Sequence, residues 1–357
     1  MTDSLLVDTV DSIFATVCTD EALRAAEHAG FAPAAWDAVA EAGLPWISLP
    51  EGLGGEGGDL ADALAVLRVA GYHGLPLPLA ETGLLAGWLR TASGLHVDRV
   101  PATVAVGPDL SWREGRVHGT ARLVAWGRSA EQVVALVPAA SPDDAPVVAV
   151  FDAAGLRIER HVNLAGEPRD TLYFAGAAPV ASAPAGPGVS AETLRRRGAL
   201  TRIVLMAGAA SRIADITAAY TGERQQFGRP IGRFPGVQEH VVHIAQQAAT
   251  LGMAADLAVA AAAADPALAG PQAAFQVPAA KVIADDAATI ATAAAHQAHG
   301  AMGMTREYSL HHVTRRMWAW TREYGTGPQS ADEVGEIVAK AGADGLWPLI
   351  ASGGAAR

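Results

Sequence analysis

Glu223-Arg-Gln-Gln-Phe-Gly-Arg-Pro-Ile-Gly-Arg-Phe-Pro-Gly-Val-Gln238 sets a cationic, amide-rich and aromatic turn between two long Ala-rich helical patterns. Such a turn offers a guanidinium fork for a pyrophosphate, carboxamides for hydrogen bonds and a ring to stack on a heterocycle. After it, helical periodicity covers 236–264, 271–299 and 305–322, and before it 190–222. Four long helices joined by short turns predict a bundle. A shorter helix is expected after Ser330, where Ser330-x-x-Glu333 reads as a capping box.

Upstream the pattern changes. Ala102–Gly107, Val117–Trp126, Gln132–Pro138, Val147–Phe151, Leu156–Arg160 and Asp170–Phe174 are short β-branched runs between turn residues. They predict a small antiparallel β-domain, with Pro179–Gly188 as the linker out of it. Residues 3–93 read as mostly helical, with apolar spacing clearest in Ala22–Ala29, Ala34–Ala42 and Leu60–Ala70. Pro50–Gly58 carries too much glycine for regular structure, and no Lys-Ser/Thr follows to make it a phosphate loop. The expected fold is a multidomain α+β protein: a helical domain over 1–98, a β-domain over 99–188 and a C-terminal helical bundle over 189–357.

Composition narrows the function. Half of the 357 residues are hydrophobic and only 18% are charged, which suits a chain that buries much surface, some of it between subunits. The net charge of −11 argues against nucleic acid. Arg195-Arg-Arg197 and Arg315-Arg316 remain local candidates for phosphate contact. A lone cysteine, Cys18, fits a reducing compartment. The N-terminus is acidic, without Lys or Arg before Arg24, unlike a secretory signal. The longest uncharged run, Thr171 to Ala191, is broken by three prolines and cannot span a membrane. A cytoplasmic location is expected.

The Arg224 turn resembles the Arg-x-x-Phe-Gly-x-x-Ile-x-x-Phe-x-x-x-Gln signature of acyl-CoA dehydrogenases, flavoproteins that desaturate acyl-CoA thioesters. Two further elements are similar to that family: Pro50-Glu-Gly-Leu-Gly-Gly-Glu-Gly-Gly58 and Gln297-Ala-His-Gly-Ala-Met-Gly303, the latter with Ala301 in place of a glycine. The order helical, β, helical bundle is also the family's. The resemblance implies that Arg224, Gln226 and Phe227 meet the FAD of a neighbouring subunit, Arg224 on its pyrophosphate. It implies likewise that Gln297, Gly300 and Gly303 lie along the adenosine-diphosphate half of that FAD.

Two family elements are missing. The Thr-Glu-Pro-x-x-Gly-Ser-Asp stretch that meets flavin and substrate has no counterpart in Val100–Ser111. Desaturation needs a carboxylate to take the α-proton. Where the family places it, in Glu-Gly-Thr, this chain has Tyr324 in Thr321-Arg-Glu-Tyr-Gly-Thr326; the family's alternative position is Gly198. A phenol with a pKa near about 10 is a poor base at neutral pH. Glu323, the adjacent carboxylate, is turned away by roughly 100° along a helix and is read as solvated rather than catalytic. No catalytic residue is assigned.

His240/His243 and His296/His299 each share a helix face, but none forms Glu-x-x-His, so no metal site is expected. Trp318 and Trp320 cannot share a face, so at least one is expected to meet another subunit or the cofactor. Together these readings resemble the smaller, base-lacking subunit of the α₂β₂ acyl-CoA dehydrogenases of actinobacterial steroid catabolism. The partner would be a second acyl-CoA dehydrogenase-like chain carrying the base, and the substrate an acyl-CoA. Two alternatives stand beside this one. The first is a homotetrameric dehydrogenase, or a flavin oxidase or monooxygenase on the same fold, with Glu323 or another carboxylate as base. The second is a non-catalytic scaffold.

Overall fold

In the computed structural model, which describes residues 4–139, 141 and 144–352, the chain divides into two units. One contains residues up to 9, 21–66 and 76–198; the other contains 10–20, 67–75 and 199–357. The N-terminal region supplies α1 (Ser4–Val17), α2 (Asp20–Ala29), α3 (Pro33–Glu41) and α4 (Leu60–His73). A buried π-helical segment, Ala80–Gly87, then runs into α5 (Trp88–Ala92). Pro33 opens α3, where its missing N–H would have no helical partner anyway.

The middle region forms β1 (Ala102–Val106), β2 (Ser111–Arg113), β3 (Arg116–Ala125), β4 (Gln132–Val137), β5 (Val147–Asp152), β6 (Arg157–Glu159), β7 (Arg169–Ala177) and β8 (Ala181–Pro184). They make two four-stranded sheets, ordered β1-β4-β5-β8 and β2-β3-β7-β6. Inward residues of both sheets, among them Val117, Ala121, Leu172 and Phe174 with Val133, Ala149 and Phe151, share one core. The Phe151 and Phe174 rings meet edge to face at 5.1 Å.

Three expectations change here. The β-structure is not wholly antiparallel, because β1 and β4 pair in parallel, Ala102 beside Gln132. Between them the chain crosses to the other sheet as β2 and β3 and returns in the same sense, as a parallel pair requires. Pro179–Gly188 is not only a linker, since it holds β8. Its proline is tolerated because β8 is an edge strand and Pro184 its last residue. Ser111–Arg113, unread in the sequence, pairs with β3 through a turn in which Glu114 and Gly115 both have positive φ.

The second unit is built on α6 (Ala191–Glu223, whose first turns lie in the first unit), α7 (Pro235–Ala264), α8 (Pro271–His299), α9 (Leu310–Trp320) and α10 (Gly327–Ser352), with a two-stranded ribbon of β9 (Gln225–Gln226) and β10 (Arg229–Pro230). Prolines open α7 and α8 as Pro33 opens α3. α7 and α8 lie along each other, with Ala254, Ala255, Ala258 and Ala261 on one and Ala280, Ala284, Ala287 and Ala291 on the other buried. Small side chains allow that approach. α6 and α7 are long and apolar enough to cross a membrane by composition, but 61% of the apolar window of α6 is buried within the protein, as in a core helix.

The expected helix over 305–322 is shorter, Leu310–Trp320, because residues 305–309 are bends and a turn and the chain leaves the helix after Trp320. The expected capping box is displaced by one turn. Ser330 is buried inside α10 and its N–H donates to Thr326 O. The reciprocal cap is instead Thr326/Gln329: Thr326 N–H donates to Gln329 Oε1 at 3.0 Å and Gln329 N–H to Thr326 Oγ1 at 3.4 Å. Both pairs fit the motif, and only the position of the preceding turn selects between them.

Cys18 gives a chemical test of the second unit's packing. Burial pushes its thiol up to about 12, against the opposing pull of the Arg316 charge. Native protein at pH 8 is therefore expected to resist iodoacetamide, while protein in urea reacts as an ordinary thiol does. Equal rates in both would show that the Cys18 environment is open.

Candidate functional site

α6 ends as Arg224 N–H donates to Tyr220 O at 2.9 Å. The chain then folds back as a two-residue hairpin, Gln226 paired with Arg229 across Phe227 and Gly228. Both loop residues have positive φ, +50° and +77°, the pattern of a type I′ turn, whose twist matches the two strands. Glycine accepts that geometry freely. A phenylalanine there is strained by roughly 1–3 kcal/mol, and its ring is 92% exposed. It touches Phe234 edge to face at 6.1 Å, while the Arg229 guanidinium lies 4.2 Å above Phe234. Arg224 and Gln226 are exposed as well, with no side-chain partner among the described residues. Beneath the hairpin lies a groove of about 680 Å³ lined by Thr221, Pro230, Arg233, Gln238, Val241 and Val242.

The end of α8 supplies the second element. Gln297 is exposed, and Gly300 closes the helix at φ +58°, ψ −137°, a conformation that favours glycine. No atom lies within 4 Å of where a Gly300 Cβ would stand, so the backbone angle rather than crowding calls for glycine. Gly303 differs. It is buried, and a Cβ there would lie 2.8 Å from His299 Cβ, so its smallness lets the 3₁₀ turn pack on the end of its own helix. The structure brings the two elements to the same end of the unit: the Tyr220 ring, one turn before Arg224, stacks on His299, the residue before Gly300, at 4.4 Å.

At the position where a base is expected, the chain builds a buried ionic lattice. Glu323 accepts from Arg202 Nε at 2.6 Å, with side chains 13% and 2% exposed. Lys281, fully buried, donates to Asp285 Oδ1 at 2.8 Å and to the carbonyls of Trp320 and Thr321 at 3.2 and 3.0 Å. Burial pulls the Lys281 pKa down, and its hydrogen bond to Asp285 resists that. Asp285 also accepts Gly327 N–H at 2.5 Å. These bonds fix the 321–327 turn, in which Tyr324 sits at φ +56° with the Arg202 guanidinium 5.1 Å from its ring centre. Glu323 is thus not the solvated carboxylate expected; it is largely buried and accepts from an arginine. Gly198, at the other candidate position, is buried and carries no proton acceptor. Arg202, Lys281 and Asp285 were not read as a group in the sequence. The i, i+4 pair Lys281/Asp285 inside an apolar helix was the one available signal.

The basic clusters are mostly internal. Arg196 pairs with Glu192, and Arg197 donates to Leu84 O at 2.6 Å beneath the Trp88 ring. Burial pushes the Arg197 pKa down to about 9. Arg316 is 2% exposed and donates to His312 O. None of these three presents itself to a soluble phosphate. Trp320 is buried and Trp318 is 39% exposed, as their spacing required. The His296 and His299 nitrogens meet Thr314 Oγ1 at 3.1 Å and Ala295 O at 2.8 Å.

Comparison with known proteins places this geometry. Residues 2–92 match the model for the acyl-CoA dehydrogenase N-terminal domain and residues 189–329 that for the acyl-CoA dehydrogenase C-terminal domain, together well over half of the chain. Acyl-CoA dehydrogenase IpdE2 of Mycolicibacterium smegmatis is 28% identical over 313 residues, covering 86% of this chain and 89% of that protein. Acyl-CoA dehydrogenase FadE27 of Mycobacterium tuberculosis is 29% identical over 268 residues, covering 65% and 68%. Among solved structures, the ChsE4-ChsE5 complex from Mycobacterium tuberculosis superposes with a TM-score of 0.81 at 24% identity, over 95% of this chain and 98% of that one. The Tcur3481-Tcur3483 steroid ACAD G363A variant does so at 0.81 and 23%, also over 95% and 98%.

Proposed function

The chain belongs to the acyl-CoA dehydrogenase family, and on that footing we propose that it is the subunit of a heteromeric dehydrogenase that completes the FAD site of a partner chain. The family is one of FAD-dependent flavoproteins acting on acyl-CoA. The proposed substrate is a bulky, steroid-derived acyl-CoA, the proposed assembly α₂β₂, and the proposed location the cytoplasm. The single observation that carries the reading is Phe227, a strained aromatic residue 92% exposed at the tip of the hairpin. Within its own unit the ring's contact among the described residues is edge to face with Phe234, which leaves most of it exposed, so a binding partner is the natural source of compensation.

The residues present fit one side of a dinucleotide. Arg224 offers its fork to the pyrophosphate, Gln226 and Gln297 offer carboxamides, Phe227 a ring, and Gly300 an unobstructed turn; Gly303 allows that turn to pack. The chemistry that a bound FAD would supply is a hydride acceptor for desaturation of the acyl chain. This chain's own residues bind and orient. Glu323, the carboxylate beside the family's base position, is held by Arg202, and the α-proton is assigned in this proposal to a carboxylate of the partner. The names of the ChsE4-ChsE5 complex and of the steroid ACAD pair support the heteromeric, steroid-directed form of the reading.

The test is flavin content. Purified alone, the chain is expected to be colourless, and yellow when co-expressed with its partner. Arg224→Ala in that complex is expected to lose FAD, since a charge-assisted hydrogen bond is worth about 1.5–3 kcal/mol. A yellow single chain that bleaches with an acyl-CoA would instead establish the self-sufficient enzyme. Absence of flavin under both conditions would leave the scaffold.

A further inference from the structure

Three rings meet where the hairpin and the Gly300 turn converge. Tyr220 stacks on His299 at 4.4 Å and 21°, and Tyr308 closes on Tyr220 at 5.5 Å and on His299 at 5.1 Å. The Tyr220 hydroxyl donates to His299 O at 3.4 Å. His299 is 3% exposed; its Nδ1–H donates to Ala295 O one turn back, which fixes the ring, and its Nε2 has no partner among the described residues. A buried imidazole with one nitrogen unspent is retained here for its flat ring and its place rather than for its hydrogen bonds. Each ring belongs to a different piece of chain, and two of them adjoin a candidate ligand-binding residue. Tyr220 lies one helical turn before Arg224, so its position sets the direction in which the last turn of α6 releases the hairpin. His299 is the residue on which Gly300 turns.

We propose that Tyr220, His299 and Tyr308 are positioning residues that lock the Arg224 hairpin to the Gly300 turn, so that the two engage a flavin dinucleotide as one unit. This rests on the FAD half-site reading above. Two elements 76 residues apart in sequence, each with a backbone of its own, would otherwise order separately when the ligand arrives, each with its own entropic cost. Rings stacked in advance remove that cost once, for both. The consequence is non-additivity: once the clamp is open, the Arg224 fork is no longer held toward the ligand, and removing Arg224 as well changes little.

The measurement is FAD affinity of the co-expressed complex, deflavinated and reconstituted with FAD, together with the visible circular dichroism of the bound flavin. His299→Ala is expected to weaken FAD about tenfold and to alter the flavin dichroism, and His299→Phe, which keeps a flat ring, to restore both. The double variant Arg224→Ala/His299→Ala is expected to bind no more weakly than the poorer single variant. If His299→Ala does not fold, Tyr220→Leu carries the same comparison, with Tyr220→Phe as its rescue. Additive losses, or failure of the ring-preserving variants to rescue, would overturn the clamp. An Arg224→Ala complex that loses FAD while His299→Ala keeps it would remove the clamp and leave the half-site standing. An Arg224→Ala complex with unchanged FAD affinity would remove both.

Discussion

Glu323→Gln in the co-expressed complex is expected to leave single-turnover flavin reduction within about tenfold of wild type, whereas loss of a true general base costs about a hundred- to ten-thousand-fold. Glu323→Ala is expected to lower stability by about 3–5 kcal/mol, as when one member of a buried ion pair is deleted. The two outcomes have one cause. Glu323 and Arg202 are 13% and 2% exposed and joined at 2.6 Å, so the carboxylate is already hydrogen-bonded to a guanidinium. Deleting it leaves a guanidinium buried without its counter-charge, beside the ammonium of Lys281, whose own partners are Asp285 and two carbonyls. The expected tolerance of Glu323→Gln rests on the proposed assignment of the base to the partner, with Glu323 engaged by Arg202 instead. Urea unfolding and stopped-flow flavin reduction read the two effects separately. A collapse of the reduction rate with FAD still bound and stability unchanged would make Glu323 the base, and the self-sufficient enzyme the better reading.

Gly208→Leu is expected to abolish soluble expression, and Gly208→Ala to destabilise at or beyond the usual overpacking range of about 1–3 kcal/mol. A Cβ at Gly208 would lie 2.0 Å from Arg68 O, and one at Gly71 2.1 Å from Leu205 O. The contact is reciprocal: α4 and α6 touch backbone to backbone there, and a backbone carbonyl cannot swing aside as a side chain does. The same crossing is fastened by Tyr72 to Asp215 at 2.8 Å, so separating the helices breaks a polar contact as well. Gly222 is the control. It is helical, near the end of the same α6, with no atom within 4 Å of its would-be Cβ, and Gly222→Ala is expected to be neutral or to stabilise by about 0.4–1 kcal/mol. Thermal unfolding of the two alanine variants tests the contrast, and soluble yield tests Gly208→Leu. A Gly208→Ala protein as stable as Gly222→Ala would show that the two helices lie further apart.

Much of this was legible in the chain. The cationic, amide-rich and aromatic character of the Arg224, Gln226 and Phe227 turn is legible in a few consecutive residues, whereas the part given to the Gly300 turn comes from the family resemblance. Helices opened by Pro235 and Pro271 were equally local. The cap of α10 shows the limit. Thr326-x-x-Gln329 and Ser330-x-x-Glu333 both satisfy the motif, and the choice fell to the position of a turn held by Lys281 and Asp285 from another helix. The parallel pairing of β1 with β4 is likewise invisible to an alternation pattern, which reports the face of a strand and never its neighbour.

Periodicity and turn chemistry act over one or two turns of chain, and so the order of helical, β and helical regions and the chemical character of the Arg224 turn could be read from local residues. The partner of Glu323 and the close contacts of Gly208 and Gly71 could not. Arg202 and Glu323 stand 121 residues apart, and Gly208 meets α4 across the body of the unit. Burial makes such contacts decisive, because a charge or a backbone carbonyl removed from water takes whatever partner the packing brings to it, and packing is a property of the whole chain.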